Sequence, residues 1–173
     1  IGTTVFDGDK FIGALIYQIN PAAIDRVMTD NKKWKEQGLG ETGESFLVAQ
    51  DFKFRSSPRA FLEDPAEYYR MLSRHGIAKE KIDWIKRAHS PILIQEVRTE
   101  GPKRALAGQT GEVEYTDYRG KRVLSSYQPI RLGQFEWGLV AKIDKAEALQ
   151  GVQRLRNALL LLGAILIPLL TML

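Results

Sequence analysis

Polar side chains that could bind an anion are densest in one short segment, which contains Asp51, Arg55, Ser56, Ser57 and Arg59. An arginine guanidinium and nearby serine hydroxyls can hold a carboxylate through charge-assisted hydrogen bonds. Two interpretations of this segment are open. Either these residues bind a carboxylate ligand, or Arg55 pairs with an acid such as Asp51 and fixes the turn after a strand.

A second polar set alternates along the two arms of a predicted hairpin and consists of Tyr115, Asp117, Ser125 and Tyr127. Successive side chains of a strand point to opposite faces of a sheet, so residues two apart share a face. We therefore expect these side chains on the concave side of a sheet, where a small molecule could bind. The alternative is a strand pair with one solvated face.

The remaining candidates for chemistry indicate no enzyme. His75 and His89 are the only histidines, and their spacing does not match a metal-ligand pattern. Glu112 and Glu114 share one side of a strand, which is typical of a solvated edge. The sequence has no G-x-S-x-G, P-loop or H-E-x-x-H motif and no cysteine. We expect no catalytic residues, no metal and no cofactor.

The charge distribution argues against nucleic-acid binding. The net charge is +4, but the basic residues are scattered among acids, as in the segment KKWKE at residues 32–36. A nucleic-acid interface needs a concentrated basic patch. No nucleic-acid partner is predicted.

The pattern of apolar residues predicts the elements that position these side chains. Residues 11–19 read as a strand, and Asn20 and Pro21 read as the N-cap and first position of a helix over 21–35. Apolar spacing gives that helix an inner face at Ile24, Val27 and Met28.

The rest of the chain alternates between strands and a helical block. Strands are predicted at residues 45–50, 112–118, 121–128 and 135–143, with a further strand after the turn at 51–55 and helices within 63–89. On the last strand, the two-residue period places Trp137, Leu139, Ala141 and Ile143 on one face. This order predicts an α+β fold with an antiparallel sheet flanked by helices.

The C-terminal part is predicted to leave the domain as a helix. Asp144 and Glu147 have the spacing of a capping box, which would open a linker helix over 144–157. Residues 158–173 then carry no charge and predict the start of a transmembrane helix, truncated at the end of the sequence. The alternative is a buried C-terminal core helix.

Three segments resemble a known family. LGETGESFLVAQDFKFRSSPRAF (39–61), YTDYRGKRVLSSYQPI (115–130) and FEWGLVAKIDKAEAL (135–149) are similar to the membrane-proximal Cache module, a PAS-like sensor domain of double-Cache bacterial receptors. Phe46 stands where tyrosine is common in that module, and Ala49 where glycine is common.

The resemblance implies an extracytoplasmic sensor module over residues 1–150, anchored in the bacterial inner membrane and exposed to the periplasm. It implies a homodimer that binds a small molecule, such as an amino acid or another organic acid. It also implies that displacement passes down the C-terminal helix to an effector outside this chain. The expected ligand contacts are Arg55, Ser56, Ser57, Arg59, Tyr115, Asp117, Ser125 and Tyr127.

Two other functions are open at this point. The chain could be a membrane-anchored scaffold or accessory subunit whose Cache fold binds protein. It could also be a module that only relays motion from a distal one.

Overall fold

The computed structural model describes the backbone of residues 2–16, 20–133 and 135–171, and the side chains of these residues except 163 and 165–171. The chain begins with a hairpin formed by β1 (Gly2–Asp7) and β2 (Lys10–Ile16). The two strands pair only with each other, around a turn in which Gly8 has φ 57°. β2 confirms the predicted strand as far as residue 16, whereas residues 17–19 lie outside the described part. β1 was not predicted.

Helix α1 (Pro21–Thr29) begins as predicted, because the Asn20 side chain accepts a hydrogen bond of 2.9 Å from the Ala22 N–H. Its predicted end at residue 35 is wrong. The three residues after Thr29 have left-handed φ angles of 43°, 57° and 69°, which end the helix. The prediction that Val27 faces inward is also wrong: the buried stripe turns toward Thr29 and leaves Val27 79% exposed.

The main sheet is antiparallel, with strand order β3-β6-β5-β4. Its strands are β3 (Glu44–Ala49), β4 (Gly111–Thr116), β5 (Arg122–Leu132) and β6 (Phe135–Asp144). They confirm the predicted hairpin and last strand, and Gly120 supplies the positive φ of 75° at the hairpin turn. The strand predicted after the turn at 51–55 is reduced to isolated bridges, Val48 with Phe54 and Lys53 with Glu96.

Four helices form the block between β3 and β4: α2 (Arg59–Glu63), α3 (Pro65–Arg74), α4 (Lys79–Ala88) and α5 (Glu100–Leu106). Helices α3 and α4 confirm the predicted helical block, and their inward residues form one hydrophobic cluster of Tyr68, Met71, Leu72, Ile82 and Ile85 with Phe61 and Ile94. Trp84 is 59% exposed and lies outside this cluster. Helices α2 and α5 were not predicted.

A second hydrophobic cluster lies on the face of the sheet that helix α5 covers. It contains Phe46, Val48, Phe54, Val97, Ala105, Tyr127 and Val140. Helix α5 lies directly against β6, since a Cβ at Gly138 would be 2.9 Å from the Ala105 Cβ. The strand register leaves Trp137, Leu139, Ala141 and Ile143 together on the opposite face, as predicted.

The chain leaves the sheet through α6 (Lys145–Ala148) and α7 (Gln150–Thr171), which are interrupted at Leu149. Among the residues that the structure describes, no helix combines the length and apolarity needed to cross a membrane. The predicted transmembrane segment at 158–173 includes residues 172 and 173, which lie outside the described part. The membrane span stays a prediction.

Candidate functional site

A buried group of charges lies where β3, β5 and β6 meet the turn after β4. Glu44 is the register partner of Lys142, and the Lys142 Nζ is 2.8 Å from the Glu44 Oε1. The same ammonium contacts the Asp117 carboxylate and lies 4.5 Å from the centre of the Tyr118 ring. The side chains of both Lys142 and Asp117 are 0% exposed. The ammonium is therefore held by two carboxylates and an aromatic face.

Arg119 extends this group toward the C-terminal helix. Its Nε donates to the Asp117 Oδ2 over 2.7 Å, and its terminal Nη2 donates to the Asp144 carboxylate. We call Glu44, Asp117, Arg119, Lys142 and Asp144 the charge cluster. The charge cluster links strands β3 and β6 of the main sheet to Asp144, where β6 ends and α6 begins.

The neighbouring charges determine the ionisation of the cluster. Burial by itself would raise the pKa of Glu44 and of Asp117, but Lys142 and Arg119 reverse this effect, so both pKa values lie below the usual range. Burial would lower the pKa of Arg119, yet Asp117 and Glu44 raise it above its usual value. All three groups are therefore charged near neutral pH, and each is stabilised by its partners.

Most of the predicted ligand contacts near the end of β3 are engaged within the protein. The Ser56 Oγ accepts a hydrogen bond of 2.9 Å from the Leu47 N–H. The Ser57 N–H donates to the Asp25 carboxylate over 2.6 Å. Arg59 is 7% exposed and donates to the carbonyl oxygens of Gly40 and Gly43 over 3.0 and 2.8 Å. These three residues hold neighbouring segments together, and any ligand role for them stays a prediction.

The predicted contacts on the hairpin share one face of the sheet, and helix α5 covers that face. Tyr115, Ser125 and Tyr127 are 7%, 4% and 5% exposed. The Ser125 Oγ donates to the Ala141 carbonyl over 3.1 Å. A Cβ at Gly101, in the first turn of α5, would be 2.9 Å from the Tyr115 hydroxyl, so the helix lies close above these residues. Asp117 belongs to the charge cluster.

A large groove lies at the end of β6 away from the charge cluster. This groove has a volume of about 990 Å³ and is lined by the start of α1, the end of β3, the turn at 51–55, the loop at 92–93 and the tip of the β5–β6 hairpin. Apolar walls come from Ile24, Ile92, Leu93, Phe135 and Trp137. Charged groups come from Asp51, Arg55, Arg131 and Glu136.

Arg55 is the predicted site residue that lines the groove. Its guanidinium is 3.0 Å from the Asp51 carboxylate, which is the pairing expected by the second interpretation of this segment. It also donates to the carbonyl of Lys53 over 3.1 Å and to that of Phe54 over 3.4 Å. A guanidinium has five N–H donors, so these contacts leave donors for a ligand carboxylate.

Two bulky residues beside the groove have an unusual backbone conformation. Phe52 has φ 59° and Leu93 has φ 63°, in the left-handed region that large side chains rarely adopt. Such conformations cost free energy and concentrate at binding and switch regions. The Leu93 side chain is 57% exposed and lines the groove.

The sequence patterns do not predict that Glu44, Arg119, Lys142 and Asp144 form a buried cluster. One signal was present in the alternation of β6. If Trp137 and Leu139 share one face, Lys142 shares the other with Gly138 and Val140, so a lysine falls among buried positions. A lysine is almost never fully buried unless it is paired.

Comparison with solved structures identifies the fold. The periplasmic sensory domain of the Campylobacter jejuni chemoreceptor Tlp1 matches with a TM-score of 0.51 and 12% sequence identity, over 83% of this chain and 42% of that one. The ligand-binding domain of the Pseudomonas aeruginosa amino acid chemoreceptor PctB, in complex with L-Gln, has a TM-score of 0.49 and 16% sequence identity, over 92% of this chain and 52% of that one. The ligand-binding domain of the Pseudomonas fluorescens chemoreceptor CtaA, in complex with L-leucine, has a TM-score of 0.43 and 14% sequence identity, over 86% of this chain and 47% of that one.

No protein-family model and no curated protein matches the sequence. The chain spans about half the length of the solved sensor domains that it matches, between 42% and 52% for these three. The likeness to Tlp1 carries the fold, and it agrees with the antiparallel sheet and flanking helices described above. The chain therefore has the fold of a periplasmic sensory domain of a bacterial chemoreceptor, which confirms the fold that its motifs imply.

Proposed function

We propose that this chain is an extracytoplasmic small-molecule sensing module of a transmembrane receptor. The observation that carries the proposal is the fold shared with the Tlp1 sensory domain. The open groove beside Arg55 supports it as a place for a ligand. The chain itself is a binding module, and an effector such as a kinase or cyclase would lie outside it.

The ligand class that suits the groove is an amino acid or another small organic acid. The unused donors of Arg55 suit a carboxylate, and the Asp51 carboxylate beside it suits an ammonium group. The apolar walls suit a hydrocarbon side chain. Ser56, Ser57 and Arg59 support the segment that carries Arg55, while Tyr115, Asp117, Ser125 and Tyr127 support the sheet behind it.

Signal relay would use the strands that connect the groove with the C-terminal helix. Strand β6 has Trp137 at the groove and Asp144 at the start of α6, a separation of roughly 20 Å at about 3.3 Å per residue. Strand β3 runs beside it from Glu44 in the charge cluster to Ala49 at the groove. A ligand shifts this system only by its different affinities for two conformations.

The proposal places residues 1–150 in the periplasm and residues 158–173 at the start of a span through the inner membrane, with 144–157 as the linker helix. A homodimer would form along the linker helix. Val152 and Leu155 are 64% and 62% exposed there, which suits a second copy.

A scaffold or accessory subunit that binds protein is the second candidate function. The observation in its favour is the N-terminal hairpin, where Phe6, Phe11, Ile12 and Ile16 are 54%, 57%, 58% and 76% exposed. Exposed apolar surface of this kind is typical of protein interfaces.

The experiment is a thermal-shift screen of the 173-residue chain in detergent against amino acids, organic acids and purines. A ligand at a hundredfold excess over its Kd stabilises the native state by about 2.7 kcal/mol. We expect an amino acid or organic acid to produce a shift that disappears in Arg55→Gln. The matched control is Arg70→Gln, whose exposed side chain pairs with Glu67 on α3, away from the groove.

Equal shifts in Arg55→Gln and wild type would remove the groove as the binding site. A flat screen of the folded protein would contradict small-molecule sensing by this module and favour the scaffold.

A further inference from the structure

The first turn of the C-terminal helix is fastened to the loop before β3 by one carboxylate. Glu147 was predicted to close a capping box with Asp144, and this is wrong: Asp144 makes no side-chain capping bond. The Glu147 carboxylate instead accepts hydrogen bonds from the Glu41 N–H over 2.7 Å and from the Thr42 N–H over 2.8 Å. It also accepts from the Thr42 hydroxyl over 2.5 Å.

The same threonine binds the end of β6. The Thr42 Oγ1 accepts a hydrogen bond of 3.1 Å from the Asp144 N–H while it donates to Glu147. One hydroxyl therefore joins the last residue of the sheet to the first turn of the helix. We call the contacts among Glu41, Thr42, Asp144 and Glu147 the helix joint.

Glycine at position 40 allows this close approach. Gly40 has φ 59°, and a Cβ there would be 2.3 Å from the Glu147 Oε1. Any other residue would be strained by its backbone angle and would collide with the carboxylate. The segment GETGE at residues 40–44 therefore provides the glycine at position 40, two N–H donors and one hydroxyl donor for the Glu147 carboxylate. Thr42 and Glu147 are 105 positions apart in the sequence.

The other side of the loop is held by α2. Arg59 donates to the carbonyls of Gly40 and Gly43, and its own N–H donates to the Glu44 carboxylate over 2.7 Å. Its guanidinium also lies 4.5 Å from the centre of the Trp34 ring. The loop is therefore fixed between the helical block and the outgoing helix, so a displacement of either reaches the other through it.

The joint is held more weakly than the charge cluster beside it. Glu147 is only partly buried, whereas Lys142 and Asp117 are fully enclosed. Breaking the Glu147 bonds exposes a carboxylate and three donors to water without opening either hydrophobic cluster.

We propose that Glu147 is the positioning residue that couples the C-terminal helix to the sensory sheet, by fastening the helix to the loop at 40–42. A closed joint holds α6 in one orientation against the end of β6. An open joint frees it to take others. This inference deepens the proposed function by naming the place where its signal would leave the sheet, but the joint itself exists without a ligand.

The test compares wild type with Glu147→Gln by amide hydrogen exchange and by the distance between two spin labels. One label replaces Ser126 on β5 and the other replaces Gln153 on α7, both of which are solvent-exposed. Glutamine has nearly the same shape but only one acceptor oxygen and no charge, so it cannot satisfy both N–H groups. Exchange of the Glu41 and Thr42 amides should rise by roughly tenfold or more, and the label distances should broaden.

Glu67→Gln is the matched control, because Glu67 is a partly exposed acid paired with Arg70 and Arg74 on α3, outside both the joint and the groove. It should leave both readouts as in wild type. Unchanged exchange and distances in Glu147→Gln, with the protein folded, would overturn the joint. Because no ligand is present, failure of the joint and failure of small-molecule sensing give different results.

Discussion

At the scale of single residues, the chain places its strongest polar interactions where the sequence gives little sign of them. The Asp51–Arg55 pair is four positions apart and was anticipated as one interpretation of its segment. The Glu44–Lys142 pair joins residues that are far apart in the sequence, and no local spacing relates them. Residue type alone could not decide whether Ser56, Asp117 and Ser125 would be buried beside the sheet or would face a ligand.

Lys142 provides the most direct test of the charge cluster. In Lys142→Met the carboxylates of Glu44 and Asp117 remain buried without the ammonium between them. Removing one partner of a buried ion pair costs about 3–5 kcal/mol, so we expect a loss of this size in the free energy of unfolding measured with urea. Lys121→Met, on the exposed hairpin turn, should change it by less than about 0.5 kcal/mol. A loss below about 1 kcal/mol in Lys142→Met would mean that the cluster relaxes or admits water.

Glu44 also predicts how stability depends on pH. Its pKa is lower in the folded protein than in the unfolded chain, where a glutamate has a pKa of about 4.3. The unfolded state therefore binds more protons in this window, and stability rises with pH. The contribution is fully present above the unfolded pKa and is lost as pH falls through the folded pKa. The free energy of unfolding, measured with urea at several pH values between 2 and 7, should rise less steeply with pH in Glu44→Gln than in wild type. An identical dependence on pH in the two proteins would contradict the lowered pKa of Glu44.

At the scale of elements, the predictions succeeded where periodicity ran long enough to be recognised. Strands β5 and β6 and helices α3 and α4 have such patterns, whereas α2 and α5 have five and seven residues. The Gly101–Pro102 pair is typical of a loop, yet Pro102 lies in the first turn of α5. Proline is tolerated there because the N–H groups of the first turn have no acceptor within the helix. The capping-box prediction failed because Glu147 had a tertiary partner that local sequence cannot reveal.

The N-caps of α3 and α4 form a reciprocal pair for experiment. Asp64 caps α3 by accepting a bond of 2.9 Å from the Glu67 N–H, while Ala78 stands at the same position of α4 with no side-chain bond. Asp64→Ala should lower the free energy of unfolding by about 1 kcal/mol, and Ala78→Asp should raise it by a similar amount. Urea unfolding of both variants measures this, and a loss in Ala78→Asp would show that the start of α4 cannot take a capped geometry.

At the scale of the whole molecule, the groove and the helix joint occupy opposite ends of the same two strands. The fold could be predicted from motif resemblance and element order, because both depend on local sequence. The groove could not, because its walls come from four stretches of sequence that only the folded chain brings together. In the proposed relay, ligand binding in the groove and the position of the helix belong to one equilibrium.

Thermodynamic reciprocity turns that arrangement into a measurement. If a ligand in the groove changes the opening equilibrium of the joint by some factor, a variant that opens the joint must change ligand affinity in return. For an amino acid or organic acid that stabilises wild type in the thermal-shift screen, calorimetry should therefore give a different Kd in Glu147→Gln. Couplings of this kind typically amount to about 5- to 150-fold, and Glu67→Gln, on α3 and outside the groove, should leave the Kd unchanged. An open joint with an unchanged Kd would separate the two ends of β6, and the signal would then have to leave the groove by another path.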